Sequence, residues 1–291
     1  MSEHSDQRPV LVTGATGNVG REVVRALQSR KISFVAGDRH LERARQMLGD
    51  EVRVVALDFR KPETYRAAVA GVRGVFLLRP PPIANVQETL NVLADTAVEA
   101  GAEHIVFLSV IGADRQRWVP HHKVEQHLLH GRAAWTFLRP GFFAQNCSDA
   151  YRRDILEDDR IYVPAGGGKV SFVDVRDVAE VAAVAFENPA LRNRALELTG
   201  PEAVGFDQVA SLLSSGLGRS IRYQPASIVG YLRHLRRRGM VWGQAGIQTL
   251  LHVGLRFGNG APLTSTVQEV LGRPARSMET YVHDHLHLWK Q

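Results

Sequence analysis

Two rhythms of apolar residues alternate along this chain. Short apolar runs of strand length are each followed by a stretch in which apolar positions recur at helical spacing. Val10 to Val12 is the first run, and Val19, Val23, Ala26 and Leu27 then mark one face of a helix from Arg21 to about Arg30. Further strands are expected over 33–37, 52–57, 74–78, 104–109 and 135–139. The helices expected between them cover 41–48, 64–69, Val86 to Ala97, and 121–129. Pro80, Pro81 and Pro82 forbid further ladder or helix after the fourth strand. Strand and helix alternating over this distance mean an α/β fold, a doubly wound parallel sheet with right-handed crossovers.

Beyond about Asp158 the rhythm changes. Residues 160–163, the run Gly166-Gly167-Gly168 and residues 170–173 read as an irregular hairpin. Asp174, with Asp177 three positions on, reads as an acidic capping box opening a helix. A strand is expected over 195–198, and the remainder reads as helical over 206–213, 228–238, 244–255 and 277–289. The expected division is 1–158 for the sheet domain and 159–291 for a smaller, mostly helical substrate lobe covering the sheet's carboxyl edge. The chain is expected to re-enter the first lobe around 174–198.

The chemistry starts in the first turn. Val10 to Val12 leads into Thr13-Gly14-Ala15-Thr16-Gly17-Asn18-Val19-Gly20, a G-x-x-G-x-x-G run between strand and helix. Gly14 permits the tight turn, Gly17 lets the backbone approach a diphosphate, and Gly20 allows close helix–strand packing. The helix start supplies amides and partial positive charge for that diphosphate. The acidic residue that reads an adenosine ribose belongs about 20 residues further on, and Asp38 stands there at the tip of the second strand. A carboxylate at that point favours NAD(H); Arg39 beside it pairs with a 2′-phosphate and favours NADP(H). Asp58, ending the third strand, reads equally as an acceptor for the adenine amino group or as a turn former.

Composition narrows the partners. At 291 residues, with 44% hydrophobic and 23% charged content, the chain is an ordinary globular one. Its one cysteine, Cys147, excludes an internal disulfide. The first eight residues are polar and no run reaches the length of a membrane span, so a cytoplasmic protein with no membrane partner is expected. The net charge of +6 and pI near 9.8 admit an anionic partner. The densest basic cluster, Arg233, His234, Arg236, Arg237 and Arg238, lacks interleaved aromatics, which favours a solvated helix face over a nucleic-acid surface. Alternating His283, His285 and His287 do not face one another on a helix, so no metal site is expected.

The glycine loop, Phe76-Leu77-Leu78-Arg79-Pro80-Pro81, Leu138 to Asn146, Val173 to Ala179 and Gly272-Arg273-Pro274-Ala275-Arg276 together resemble the NmrA-like family of atypical short-chain dehydrogenases/reductases. The resemblance covers nearly the whole chain. It implies a Rossmann sheet binding NADP(H) or NAD(H), with Gly14, Thr16, Gly17, Asn18, Val19 and Gly20 at the diphosphate. By the same resemblance Arg39 reads the 2′-phosphate, Asp58 and Phe59 flank adenine, Leu78, Arg79 and Pro80 line the cofactor, and Pro140 and Gly141 lie near the nicotinamide. Asp38 departs from the small or apolar residue usual before that arginine.

Catalysis has to be read from this chain. Short-chain dehydrogenases use a tyrosine with a lysine four positions on, but the six tyrosines here are followed by Val69, Ile155, Gly166, Ser227, Leu235 and His285. Ser109 ends the fifth strand without a tyrosine to work with. On the helix after Pro120, His121, Val124, Glu125, Leu128 and Leu129 share an inward arc, with Lys123 and His127 opposite. Glu125, one turn from His121, would favour a protonated imidazole able to serve as the catalytic acid. Lys123 is the alternative, as a ribose or phosphate ligand if the helix is rotated. The expected function is NAD(P)H-dependent reduction of a small, largely apolar carbonyl, enone or quinone. Two other readings stay open: a nicotinamide sensor that binds a regulatory protein partner, and redox-neutral epimerase chemistry. A homodimer also stays open.

Overall fold

A computed structural model describes residues 8–81 and 83–290, so residues 1–7 of the polar N-terminal segment and Pro82 of the proline run lie outside the described residues. The chain forms two compact units. The first runs to Pro140 and adds Val175–Leu198 and the short return Glu269–Gly272; the second holds Gly141–Asp174, Thr199–Gln268 and the residues from Arg273 onward. The first break falls at Pro140, earlier than the change of rhythm near residue 158.

In chain order the elements up to that break are β1 (Val10–Thr13), α1 (Asn18–Ser29), β2 (Phe34–Asp38), α2 (Leu41–Leu48), β3 (Val54–Ala56), α3 (Tyr65–Ala68), β4 (Gly74–Leu78), α4 (Leu90–Glu99), β5 (His104–Leu108), α5 (Pro120–Leu129) and β6 (Ala134–Pro140). There follow α6 (Arg152–Asp158), β7 (Arg160–Val163), β8 (Lys169–Val170), α7 (Val175–Glu187), β9 (Arg194–Leu198), β10 (Val204–Gly205), α8 (Phe206–Leu217), β11 (Arg222–Pro225), α9 (Ile228–Arg237), α10 (Trp242–Leu255), α11 (Thr266–Leu271) and α12 (Met278–His285).

Seven strands make the sheet of the first unit, in the order β3-β2-β1-β4-β5-β6-β9. Every pairing is parallel. A parallel pair needs a crossover rather than a tight turn, and α7 supplies the one between β6 and β9. Leu11, Val35, Leu77, Phe107 and Phe137 share a core with residues of α3, α4 and α5. Val10, Val12, Ala36, Phe76 and Val106 are buried as well. Burial on both faces is why the strands read as unbroken apolar runs rather than as alternation. The helix expected from Val86 starts only at Leu90.

The second unit has its own core, in which Tyr151, Ile161, Phe206, Leu213, Tyr281 and Trp289 are buried. The hairpin expected over 160–173 does not form. Instead β7 pairs in parallel with β11, and β8 runs antiparallel to β10. The glycine run supplies the reason. Gly166 takes φ +56°, and a Cβ on Gly168 would stand 2.2 Å from the Leu255 carbonyl oxygen. The chain is threaded against the end of α10 instead of being turned back on itself. The helix expected over 277–289 is α12 followed by a 3-10 turn, Leu286–Trp289.

Each unit buries a histidine whose tautomer its partners dictate. In β5, His104 Nε2 lies 2.9 Å from Thr136 Oγ1, whose own proton goes to the Leu191 carbonyl at 2.8 Å, so the ring is the donor. In α10, His252 Nδ1 donates to the Gln248 carbonyl at 2.7 Å, leaving Nε2 to accept from Tyr151 Oη at 2.5 Å. Burial brings both rings down from 6.5 to about 4, helped at His104 by Arg192 and Arg73. Between those values the unfolded chain binds protons that the fold refuses, so stability rises with pH there and is lost as pH falls. We expect about 2 kcal/mol per ring to be lost between about pH 7 and pH 5, read as the urea midpoint. His104→Gln, which keeps a donor and cannot titrate, should flatten the profile by one ring's share.

Candidate functional site

Because all seven strands run the same way, the loops that follow them lie along one edge of the sheet. At its centre, Thr13 Oγ1 donates to the Phe76 carbonyl at 3.0 Å and accepts from the Leu78 amide at 3.0 Å, tying β1 to β4 where the strand order reverses. Gly14 takes φ +59°, a conformation that side-chain-bearing residues avoid. A Cβ on Gly20 would stand 2.1 Å from the Gly14 carbonyl oxygen and 2.8 Å from Ala15 Cα, so no other residue fits. Gly17 precedes the first residue of α1, and its own Cβ would lie 3.3 Å from the same oxygen. No acidic residue stands in the first turn of α1. Its amides have no helical carbonyl behind them, and no carboxylate of that turn offsets the positive end of the dipole.

At the tip of β2, Thr16 Oγ1 donates to Asp38 Oδ2 at 2.6 Å, and the His40 amide donates to Asp38 Oδ1 at 2.8 Å. Both carboxylate oxygens are thus engaged within the loop. Arg39 is exposed, and no carboxylate among the described residues pairs with it. After β3, Asp58 Oδ1 accepts from the Arg60 amide at 2.9 Å, a turn-forming contact. Phe59 is buried in the core and its carbonyl accepts from Tyr65 Oη at 2.9 Å. Pro140 ends β6, its carbonyl accepting from the Ile111 amide at 3.2 Å; Gly141 opens the second unit.

Two arginines near α5 meet different fates. Arg139 on β6 forks onto Glu125, Nε to Oε1 at 3.0 Å and Nη2 to Oε2 at 2.7 Å. Ser109 Oγ adds a bond to Oε1 at 2.6 Å. Ser109 and Glu125 are each 1% exposed. Burial alone would lower the Arg139 pKa, but the Glu125 hydrogen bond and charge, with Asp114 and Glu197, hold it above the usual arginine value. Arg79, just past β4, has no carboxylate among the described residues. Its Nη1 donates to the carbonyls of Ile83 at 2.8 Å, Pro81 at 3.2 Å and Pro80 at 3.4 Å, and its Nε lies 3.5 Å from His121 Nε2. Burial draws its pKa down, yet an arginine keeps its proton.

These contacts separate His121 from the carboxylate expected to protonate it. Glu125 is spent on Ser109 and Arg139 and makes no bond to His121. Burial first, and Arg79 second, lower the His121 pKa from 6.5 to about 3. The imidazole is neutral at neutral pH. Nor is α5 rotated to favour Lys123, which is exposed while Val124, Glu125 and Leu128 are buried. Leu129, expected inward, is 44% exposed. The Ser109–Glu125–Arg139 knot joins side chains from three elements that sequence spacing does not connect; Glu125 on the inward arc is its one sequence signal.

Comparison with known proteins identifies the family and the fold. The sequence matches the profile of the NmrA-like family over residues 6–251. It is 36% identical to the NAD(P)H azoreductase of Xenophilus azovorans over 284 residues, 95% of this chain and 97% of that one. Among solved structures, the NADPH-dependent quinone oxidoreductase of Escherichia coli in complex with NADPH superposes with a TM-score of 0.84 at 24% identity, covering 96% of this chain and 99% of its own. The triphenylmethane reductase of Citrobacter sp. complexed with NADP(H) gives 0.81 at 24% identity, covering 94% and 98%.

Breaking the buried pair should cost more than removing it. Glu125→Leu leaves Arg139 with only the half-exposed Asp114, 3.5 Å away, and should lose about 3 kcal/mol. Glu125→Leu with Arg139→Leu should recover most of that in the same urea titration.

Proposed function

The chain belongs to the NmrA-like family, and on that footing we propose that it is an NAD(P)H-dependent reductase of small, largely apolar carbonyl, enone or quinone compounds. The carrying observation is the glycine cradle, in which a Cβ at Gly20 would collide with the Gly14 carbonyl. A backbone pressed this close, at the strand-order reversal and beneath an open helix start, fits a dinucleotide diphosphate. The NAD(P)H azoreductase relative, at 36% identity over almost the full chain, adds aromatic azo compounds to the substrates worth testing.

We assign the diphosphate to the amides of the Gly14–Gly20 loop and the adenosine end to the Asp38–Arg39 corner. NADP(H) is the better fit there. Asp38 already accepts from Thr16 and the His40 amide, whereas Arg39 is exposed with no carboxylate partner among the described residues and can fork onto a 2′-phosphate. When bound, the reduced nicotinamide supplies a pair of electrons with a hydrogen to the substrate. The chain's own contribution is to bind, to orient and to set the local field. His121 is neutral and cannot give up a proton without becoming an imidazolate, so the proton that completes reduction comes from water.

Titration of the purified protein with NADPH and NADH, followed by nicotinamide fluorescence, should give saturable binding of both with NADPH the tighter. Arg39→Gln should weaken NADPH about 10-fold, one charge-assisted contact, and leave NADH within about 2-fold. Oxidation of NADPH with no member of a quinone, enone, carbonyl and azo panel would remove the reductase reading.

A further inference from the structure

Arg79 is a cation that no carboxylate among the described residues compensates. It is partly buried, directly after β4, and Leu78 before it packs against Gly14: a Cβ there would lie 3.0 Å from the Leu78 side chain. Arg79 therefore stands at the carboxyl edge beside the strand-order reversal, where ligands of such sheets bind. Three carbonyls grip Nη1, and Nε faces His121 Nε2. A guanidinium has no lone pair to offer, so the imidazole accepts and the guanidinium is held from both ends. Nη2 has no partner among the described residues and is open to solvent.

The surroundings keep the charge intact. Nearby Arg139 has its Glu125, and the Ser109 hydroxyl is turned to the same carboxylate. His122 Nδ1 is engaged with the Ala113 carbonyl. The ring facing Arg79 is neutral, because burial and Arg79 itself oppose its protonation. A fixed cation with an open Nη2 amino group and no counter-ion among the described residues is a preorganised electrostatic group. Such groups are worth most where negative charge appears during a reaction.

We propose that Arg79 is a catalytic residue, its Nη2 stabilising the oxyanion that develops on a carbonyl or quinone substrate, with His121 as the positioning residue that aligns it. This rests on the reductase reading. As the substrate gains two electrons and a hydrogen from the coenzyme, the C=O π pair moves onto oxygen. Arg79 hydrogen-bonds that oxyanion and keeps its own proton. Water then protonates the oxygen, the resulting hydroxide passing to bulk buffer.

The test uses the full chain and para-nitrophenol, whose phenolate mimics the oxyanion and reports its own ionisation by colour. Bound to the wild-type protein, it should ionise about 1 pH unit below its value in solution, a tenfold preference for the anion. Arg79→Met should abolish that shift and weaken the phenolate about 10-fold or more, while NADPH binding stays within about 3-fold. His121→Gln, which keeps an acceptor, should retain the shift that His121→Leu loses. With a naphthoquinone as the oxidant, Arg79→Met should lower kcat about 100-fold with a smaller change in KM. The proposal falls if wild type and Arg79→Met treat the phenolate alike, or if the wild type binds none of it. It falls equally if NADPH affinity drops as far as phenolate affinity, which would assign Arg79 to the coenzyme. Failure of the wild type to reduce any quinone would sink the reductase reading, whereas the phenolate measurement judges Arg79 independently of turnover.

Discussion

The first unit depends on one close approach, the Gly20 backbone beneath the Gly14 carbonyl. A single added carbon there would lie 2.1 Å from that oxygen. Its absence lets α1 sit low on β1, and two consequences follow. The first turn of α1 is brought to the carboxyl edge of the central strand, where its amides can meet an anion. The helix is also placed so that α7 can lie against it. Ala179, Ala182 and Ala183 are buried on α7, small residues that allow two helices to pack closely. The crossover that carries the chain to β9 therefore rests on the contact that shapes the glycine loop.

A second constraint is electrostatic, and it separates structure from chemistry. Arg79 and Arg139 follow or end neighbouring parts of the same sheet, yet only Arg139 is neutralised. Glu125 reaches it from the second turn of α5 and takes Ser109 as well, so that a buried carboxylate fastens β5, α5 and β6 together. The same helix begins, one turn earlier, with the neutral ring of His121 against Arg79. Compensation makes one guanidinium a structural fastener. Leaving the other with carbonyls and an imidazole preserves a positive field at the carboxyl edge of the sheet.

The second unit treats charge in a third way. The basic run on α9 is not a single face. His234 and Arg238 turn onto Asp154, and Arg238 also reaches Glu157 and Asp158. Arg236 lies over the Trp242 ring at 4.8 Å. Arg233 and Arg237 line an open concavity of about 300 Å³ with Arg160 and Tyr162. Within one helical turn and a half, adjacent arginines serve an ion-pair network, an aromatic contact and a solvent-facing groove.

The sequence by itself determined the sheet, because a strand buried on both faces must be apolar throughout and its crossover helix must carry one apolar face. It determined the glycine loop too, since the turn at residue 14 favours glycine and the approach at residue 20 requires it. Partnership between distant side chains was decided by the tertiary structure alone. Glu125 is one helical turn from His121 in sequence, but the burial of Arg139 beside it makes that pairing far stronger, and His121 is left neutral. The hairpin expected at 160–173 failed for the same kind of reason, as the glycines that looked like a turn serve to pass beneath the end of α10. Local patterns record which face of an element is apolar. They do not record which charge, carbonyl or ring another element will bring to it.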